Sequence, residues 1–317
     1  MKAKNINSIF YSKFGLIFKI IIFAVILAIV FSVISFSIIS PVSKDLRKDI
    51  AKVGIGYKFV NYIDSSLSGQ NVDAAREELV EAIKAIDDVL GTWSGELIAS
   101  IVVFIFFMIL YSIVYFMSYY TISDIVHNFM SSNSDYGFAA NFVANIKKSF
   151  RFSLLYTLYT YIVYIAGFAV SLALGLLIGK LNAIIGLFIM YLLAVGTLAL
   201  RRALVAFWMP AMISKDLGVR DAFLKNMEMI KSNFGRTFVE YFVLYIVAII
   251  LFILSAVVTF GVGMIVVYAG AWLYFQIKDM VDYYHETGMK YYIDEQTVIN
   301  PKKVYKDAVL DDENFTL

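Results

Sequence analysis

The chain has no cysteine, only two histidines and only three prolines in 317 residues. The missing thiols exclude disulfides, thiolate metal sites and thiol catalysis together, although they do not fix a compartment. The histidines, His127 and His285, lie in separate segments. Neither has a second His or a Glu-x-x-His at metal-ligand spacing. Asp282 stands one turn before His285, a spacing that could orient an imidazole, but a solvated pair at a helix end is the plainer reading. No Gly-rich phosphate loop, Gly-x-Ser-x-Gly elbow or carboxylate dyad is present. The sequence therefore predicts no enzyme, no cofactor, no metal site and no nucleic-acid partner. Charge is scarce too. Charged residues make up 16% of the chain against 61% hydrophobic ones, and mean hydropathy is +0.76. A soluble domain of this size needs far more polar surface, so the apolar excess must face lipid.

What is present is six long apolar runs: Leu16 to Ser40, Leu97 to Tyr120, Phe152 to Gly179, Leu181 to Leu200, Thr237 to Phe260 and Val262 to Ile277. Most approach the roughly 20 residues that a helix needs to cross about 30 Å of hydrocarbon. They are continuous rather than alternating, which selects helices over a barrel. The first is too long for a secretory h-region, and no small-x-small site precedes Pro41, so it reads as an uncleaved span. The fold class expected is all-α, a polytopic transmembrane bundle of six spans arranged as three hairpins.

Basic residues set the orientation. Lys2, Lys4 and Lys13 precede the first span, and Lys147, Lys148 and Arg151 lie between the second and third. Arg201, Arg202, Lys215, Arg220, Lys225, Lys231 and Arg236 lie between the fourth and fifth, and lysines recur from Lys278 to Lys306. The two short opposite turns carry only Lys180. This asymmetry puts both termini in the cytoplasm of a multi-pass cell-membrane protein. The long loop 41–96, with seven basic and ten acidic residues, then lies outside. Within it Leu46, Ile50, Val53, Tyr57 and Val60 share one helical face, and Leu79, Ile83, Ile86 and Leu90 share another. Asn71 or Asp73 can cap the second helix and Gly91 can end it. The reading is an extracytoplasmic helical hairpin, partly continuous with the first two spans, that covers the bundle top or takes a protein partner. The division expected is 1–40 as N-terminal helix and first span, 41–96 as hairpin, 97–285 as five-span core and 286–317 as cytoplasmic tail.

Inside the core a pattern recurs. Gly137-x4-Phe142-Val143-x-Asn145-Ile146 precedes the third span, and Gly218-x4-Phe223-Leu224-x-Asn226-Met227 precedes the fifth. Each continues into a basic-aromatic stretch, Lys148-Ser149-Phe150-Arg151 and Lys231-Ser232-Asn233-Phe234-Gly235-Arg236, with a weaker third copy at Ser12-Lys13-Phe14-Gly15. Apolar stripes opposite lysines accompany all three, as in helices that lie in the headgroup layer. The unit expected is a cytoplasmic amphipathic interfacial helix followed by a hairpin, with the repeats at 137–179 and 218–260. Shared interfacial composition is the alternative explanation.

The stretch from Ser214 through Ala222-Phe223, continuing to Ile230-Lys231-Ser232-Asn233-Phe234, resembles the cytoplasmic segment of a broad bacterial group of six-span proteins. These are similar to the membrane domain fused to some glycerophosphodiester phosphodiesterases. The resemblance covers about residues 120 to 285 and rests on a loose motif. It implies a fold and a membrane location; the catalytic domain has no counterpart here, so no activity carries over.

Four groups of residues stand out. Gly167, Ser171, Gly175 and Gly179 form a small-x3-small stripe, which reads as helix packing before pore lining. Lys19 and Glu240 fall at similar depth near the cytoplasmic face and form a candidate intramembrane pair, unless Lys19 snorkels to the interface. Arg201 and Arg202 follow an uncharged run and form a candidate contact to anionic lipid phosphate, against ordinary positive-inside anchoring. Tyrosines crowd the second and third runs, and each hydroxyl needs a partner. The function expected is non-enzymatic, through lipid or protein-partner contact in envelope maintenance. The alternatives are a small-molecule or ion transporter built on Glu240, Lys19 and the tyrosines and, more remotely, an intramembrane enzyme. A wet cavity reaching Glu240 favours transport; a groove beside Arg201 and Arg202 favours lipid.

Overall fold

The computed structural model describes residues 2–134 and 136–301. The rest of the expected tail, with Lys302, Lys303 and Lys306, lies outside the described residues. Eleven helices and one small hairpin are present among the described residues: α1 Lys2–Ser12, α2 Leu16–Val53, α3 Ile55–Ser68, α4 Val72–Thr92, α5 Ser94–Ser132, α6 Phe138–Ala144, α7 Ile146–Gly179, α8 Ala183–Ala203, α9 Trp208–Ser214, α10 Val219–Val258, α11 Val262–Thr287, β1 Tyr291–Tyr292 and β2 Val298–Ile299. Five segments are long and apolar enough to cross a membrane: Leu16–Ser37, Ser94–Ser132, Ile146–Gly179, Ala183–Ser214 and Val219–Val258. Their outward sides are built of residues such as Ile22, Ile26, Leu172, Leu176, Ile250 and Leu254, all exposed. Such a surface is stable only in hydrocarbon, where a helix satisfies its own backbone. The chain is a multi-pass integral membrane protein. The sixth expected run, on α11, is not among these five; its second half turns polar with Lys278, Asp279, Asp282 and Glu286.

The chain divides into two compact units, residues 1–25 with 112–317, and residues 26–111. In the larger unit α7 and α8 pack along their length. Asn182 caps α8, its Oδ1 accepting from the Ile184 and Ile185 amides at 3.0 and 3.1 Å. Two of the orphan donors at the helix start are thereby satisfied. The densest packing gathers at one end of the unit, where Phe152, Phe207, Tyr241, Tyr283, Tyr284 and Tyr291 are essentially sealed. There α1 runs along α11 from Lys2 beside Asp282 to Phe10 beside Tyr274, and α9 also packs on α11. The β1–β2 pair, antiparallel with Tyr291 opposite Ile299, was not legible as strand. Its turn is held by Asp294, whose carboxylate accepts from the Gln296 and Thr297 amides at 2.9 and 2.7 Å. Those bonds hold the Asp294 carboxyl below its ordinary range.

The smaller unit holds α3 and α4 as an antiparallel helical pair, turned through Gly69 and Asn71, both at positive φ. It departs from expectation in three details. Gly54, at φ 66°, breaks the helix, so Leu46 to Val53 belong to α2 while Tyr57 and Val60 belong to α3. The expected single face does not exist, and Tyr57 is 78% exposed. On α4 the buried positions are Ala75 and Ala82, one face over from Ile83 and Leu90, because small residues allow α3 to approach. Gly91 is helical; the cap is Trp93, one residue past the end of α4, and Asn71 occupies the N-cap position without a side-chain bond.

The two copies of the repeated pattern are built differently. In the first, α6 ends and α7 begins at Asn145. In the second, α10 runs unbroken from Val219 to Val258, so no separate interfacial helix precedes that span. Phe142 packs on Phe23 and Phe138, whereas Phe223 packs on Trp208. The asparagines do share a task. Asn145 donates to Asp124 at 3.1 Å. Asn226 donates to the Leu204 carbonyl at 2.8 Å and accepts from the Phe207 amide at 3.0 Å. Each ties its segment to a residue 21 or 22 positions back, Asp124 within α5 and Leu204 just past the end of α8.

Candidate functional site

Helices α5, α7, α8, α10 and α11 enclose a cavity of about 410 Å³ inside the larger unit. Most of its wall is aromatic or aliphatic, from Phe116 and Trp272 at one end to Ile249, Phe252 and Val267 at the other. Tyr115 stacks on Trp272 with centroids 4.6 Å apart, and its hydroxyl meets that of Tyr268 at 2.7 Å. Tyr268 is 53% exposed and marks the mouth. The polar exceptions are concentrated: tyrosine hydroxyls and the two guanidiniums of Arg201 and Arg202.

The arginines are adjacent in sequence and opposite in circumstance. Arg202, 2% exposed, sends Nη2 to Asp279 Oδ2 at 2.5 Å. Tyr241 donates to the other Asp279 oxygen. The rings of Tyr119, Phe275 and Tyr241 surround the Arg202 guanidinium at 4.8 to 5.8 Å. This is a buried ion pair with added hydrogen bonds, the arrangement in which attraction offsets desolvation. Arg201, 5% exposed, forms no ion pair among the described residues. Its Nε and Nη2 both donate to Thr160 Oγ1, at 3.2 and 3.0 Å, and its guanidinium lies 4.6 Å from the Tyr156 ring centroid. A hydroxyl and an aromatic face solvate the cation in part; neither neutralises it.

The remaining charges form one chain beside the cavity. Lys278 bonds Glu240 at 2.7 Å and Asp282 at 2.6 Å. Arg236 bonds Glu286 at 2.9 Å and Glu240 at 3.6 Å. Lys2 of α1 reaches Asp282 at 3.4 Å and Glu286 at 3.6 Å. The expected pair of Lys19 and Glu240 is therefore corrected: Glu240 is engaged by Lys278 and Arg236, while Lys19 lines a separate polar hollow with Ser12, Lys13 and Tyr136. Similar depth did not put the two residues on facing helices. The expectation for Arg201 and Arg202 is corrected in part. Neither lies open in the headgroup layer, and Arg202 is committed to Asp279. The small-residue stripe faces α8: a Cβ on Gly167 would strike Thr197, and one on Gly175 would lie 2.6 Å from Met190 Cβ. Ser171 is buried on the same face.

Sequence reasoning missed Asp279, Lys278 and Thr160. The first two follow directly on an apolar run and read as a cytoplasmic boundary; the usable signal was two acids and a lysine on one turn of α11, at 278, 279 and 282. The histidines each meet a tyrosine hydroxyl. His127 Nδ1 meets the Tyr284 hydroxyl at 2.8 Å, and His285 Nε2 meets that of Tyr291 at 2.7 Å. Among the described residues no cluster of three or more His, Asp or Glu could hold a metal. Comparison with protein-family models, with curated proteins and with solved structures finds no match. The site must be read from its own chemistry.

Proposed function

We propose that this protein works without catalysis, through contact with membrane lipid, in maintaining the cell envelope. The observation that carries the reading is the cavity: apolar-walled, laterally placed among lipid-facing helices, and bearing two guanidiniums at one end. Pockets of about 300–1,000 Å³ with a few convergent polar groups are the usual form of a ligand site. In this reading α11 is the sixth span over 262–277, and the six spans form three hairpins with both termini cytoplasmic. Segments α1 and α6 lie at the inner interface, and the α3–α4 pair lies outside, where it can meet a protein partner. The different surroundings of Phe142 and Phe223 favour shared interfacial composition over duplication of the unit, although Asn145 and Asn226 each reach a residue 21 or 22 positions back. Kinship with the membrane domain of the phosphodiesterase fusions is part of the same proposal.

Transport is the weaker reading because Glu240, its best residue, does not line the cavity and is already engaged by two cations. Reconstitution into vesicles tests the choice. The lipid reading expects lipid to remain bound through purification and no solute or ion flux. Proton- or ion-driven uptake abolished by Glu240→Gln would overturn it.

A further inference from the structure

The charged groups of this site do not cancel. Lys2, Arg202, Arg236 and Lys278 stand against Glu240, Asp279, Asp282 and Glu286, four cations to four anions, every one in an ion pair. Among the described residues Arg201 is the cation left over. It cannot discharge itself by losing a proton, because a guanidinium stays protonated in proteins. Leaving a buried charge unpaired is costly, which makes Arg201 the place where a ligand anion gains most. Unused donors cluster with it. Arg201 spends its Nε and Nη2 on one hydroxyl, that of Thr160, and among the described residues two further cavity-lining residues carry sealed, partnerless polar atoms: the Tyr119 hydroxyl and Arg202 Nε.

The apolar part of the cavity has a direction. Tyr245 and Phe275 sit by the guanidiniums, with ring centroids 5.0 Å apart; Phe252 and Val267 line the far part. Seven and eight residues along α10 and α11 correspond to about 10–12 Å at 1.5 Å per residue. An anion hole at one end of an apolar slot, with its mouth beside the lipid-exposed Tyr268, fits an amphiphile taken sideways from the bilayer.

We infer that the cavity binds one anionic phospholipid, its phosphate on Arg201 and one acyl chain along Ala248, Ile249 and Ala271. This rests on the lipid reading above and adds to it a place, a charge and a stoichiometry of one. Phosphate supplies acceptors for the Arg201 guanidinium and for the neighbouring Tyr119 hydroxyl and Arg202 Nε, and its negative charge completes the balance. A zwitterionic lipid offers the same phosphate but brings its own ammonium, so the occupied site keeps a net positive charge.

The test is native mass spectrometry of the full chain in detergent, titrated with phosphatidylglycerol, phosphatidylethanolamine or inorganic phosphate. The wild type is expected to hold one phosphatidylglycerol in preference to phosphatidylethanolamine, and inorganic phosphate is expected not to displace it. Arg201→Gln should weaken phosphatidylglycerol roughly tenfold, the size of one lost charge-assisted bond, and level the two lipids. Ala248→Trp fills the slot while keeping Arg201, and should abolish retention of either lipid in a chain that melts like the wild type. If both folded variants keep the wild-type preference, the site is wrong although lipid contact stands. If inorganic phosphate competes equally, the acyl slot is wrong. If the folded wild type retains no lipid at all, both the site and the broader reading fall.

Discussion

Arg201 and Arg202 share a helix end and should answer mutation in opposite ways. Arg202→Met leaves Asp279 buried beneath Tyr241 without its cation, and breaking such a pair costs about 3–5 kcal/mol. Adding Asp279→Leu should restore most of that loss, because no charge is then stranded. Arg201→Met removes a charge that has no ionic partner and should leave thermal stability in lipid-free detergent unchanged or raised. Melting curves of the four proteins check the contrast; equal losses for Arg201→Met and Arg202→Met would refute it. Protons offer a second handle, at His285. Burial pushes its pKa below the ordinary 6.5, with Lys2 acting in the same direction and Asp282 and Glu286 opposing. The unfolded chain therefore binds the proton first. The stability that His285 contributes is complete above about pH 6.5 and fades as pH falls through the depressed folded value. The Tyr291 hydroxyl joins His285 to Asn5 of α1 at 2.7 and 2.8 Å. Acid should loosen α1 first, seen as faster amide exchange over residues 2–12, and His285→Phe should remove that pH dependence.

At the scale of elements, the α7–α8 contact depends on missing side chains. A Cβ on Gly186 would lie 2.6 Å from the Gly175 carbonyl oxygen and the Gly179 nitrogen, so the helices must part to admit one. Gly186→Leu should cost at least the 1–3 kcal/mol of a typical overpacked contact. Gly15→Ala, with nothing within 4 Å of the added atom, is the control expected to stay within about 0.5 kcal/mol. Equal melting of the two variants would show that α7 and α8 do not approach this way. The apolar runs of α2, α5, α7, α8 and α10 were legible because lipid imposes length and apolarity on any span. The stripe at 167–179 was legible because close approach admits only small residues. Loop details were not. Gly54 broke a face that periodicity joined, since a positive φ leaves no trace in hydropathy. Of the α4 stripe Leu79, Ile83, Ile86 and Leu90, only Leu79 and Ile86 are half-buried, beside the buried Ala75 and Ala82; Ile83 and Leu90 are exposed. The site was half legible: two arginines at the end of an apolar run stood out. Their fates diverged through Asp279 and Thr160, whose placement depends on which helices face each other.

For the whole molecule, the account requires residues 41–96 outside and both termini within. The cysteine-free chain makes this accessible: Ser66→Cys and Ser132→Cys, both exposed, can be tested with an impermeant thiol reagent on intact cells. Labelling at 66 and not at 132 is expected; the reverse would invert the topology. The central claim is that a lipid occupies the slot beside Arg201, and photo-crosslinking in vesicles addresses it most directly. A phosphatidylglycerol with a photoreactive acyl chain, incorporated with the full-length protein, should mark residues 245–252 and 267–272 on their cavity side, at Ala248, Ile249 and Ala271. Arg201→Gln should lower those adducts in line with a roughly tenfold weaker site and spare the background on outward residues such as Ile250 and Leu254. Adducts confined to Ile250, Leu254 and other lipid-facing positions, unchanged by Arg201→Gln, would contradict the account.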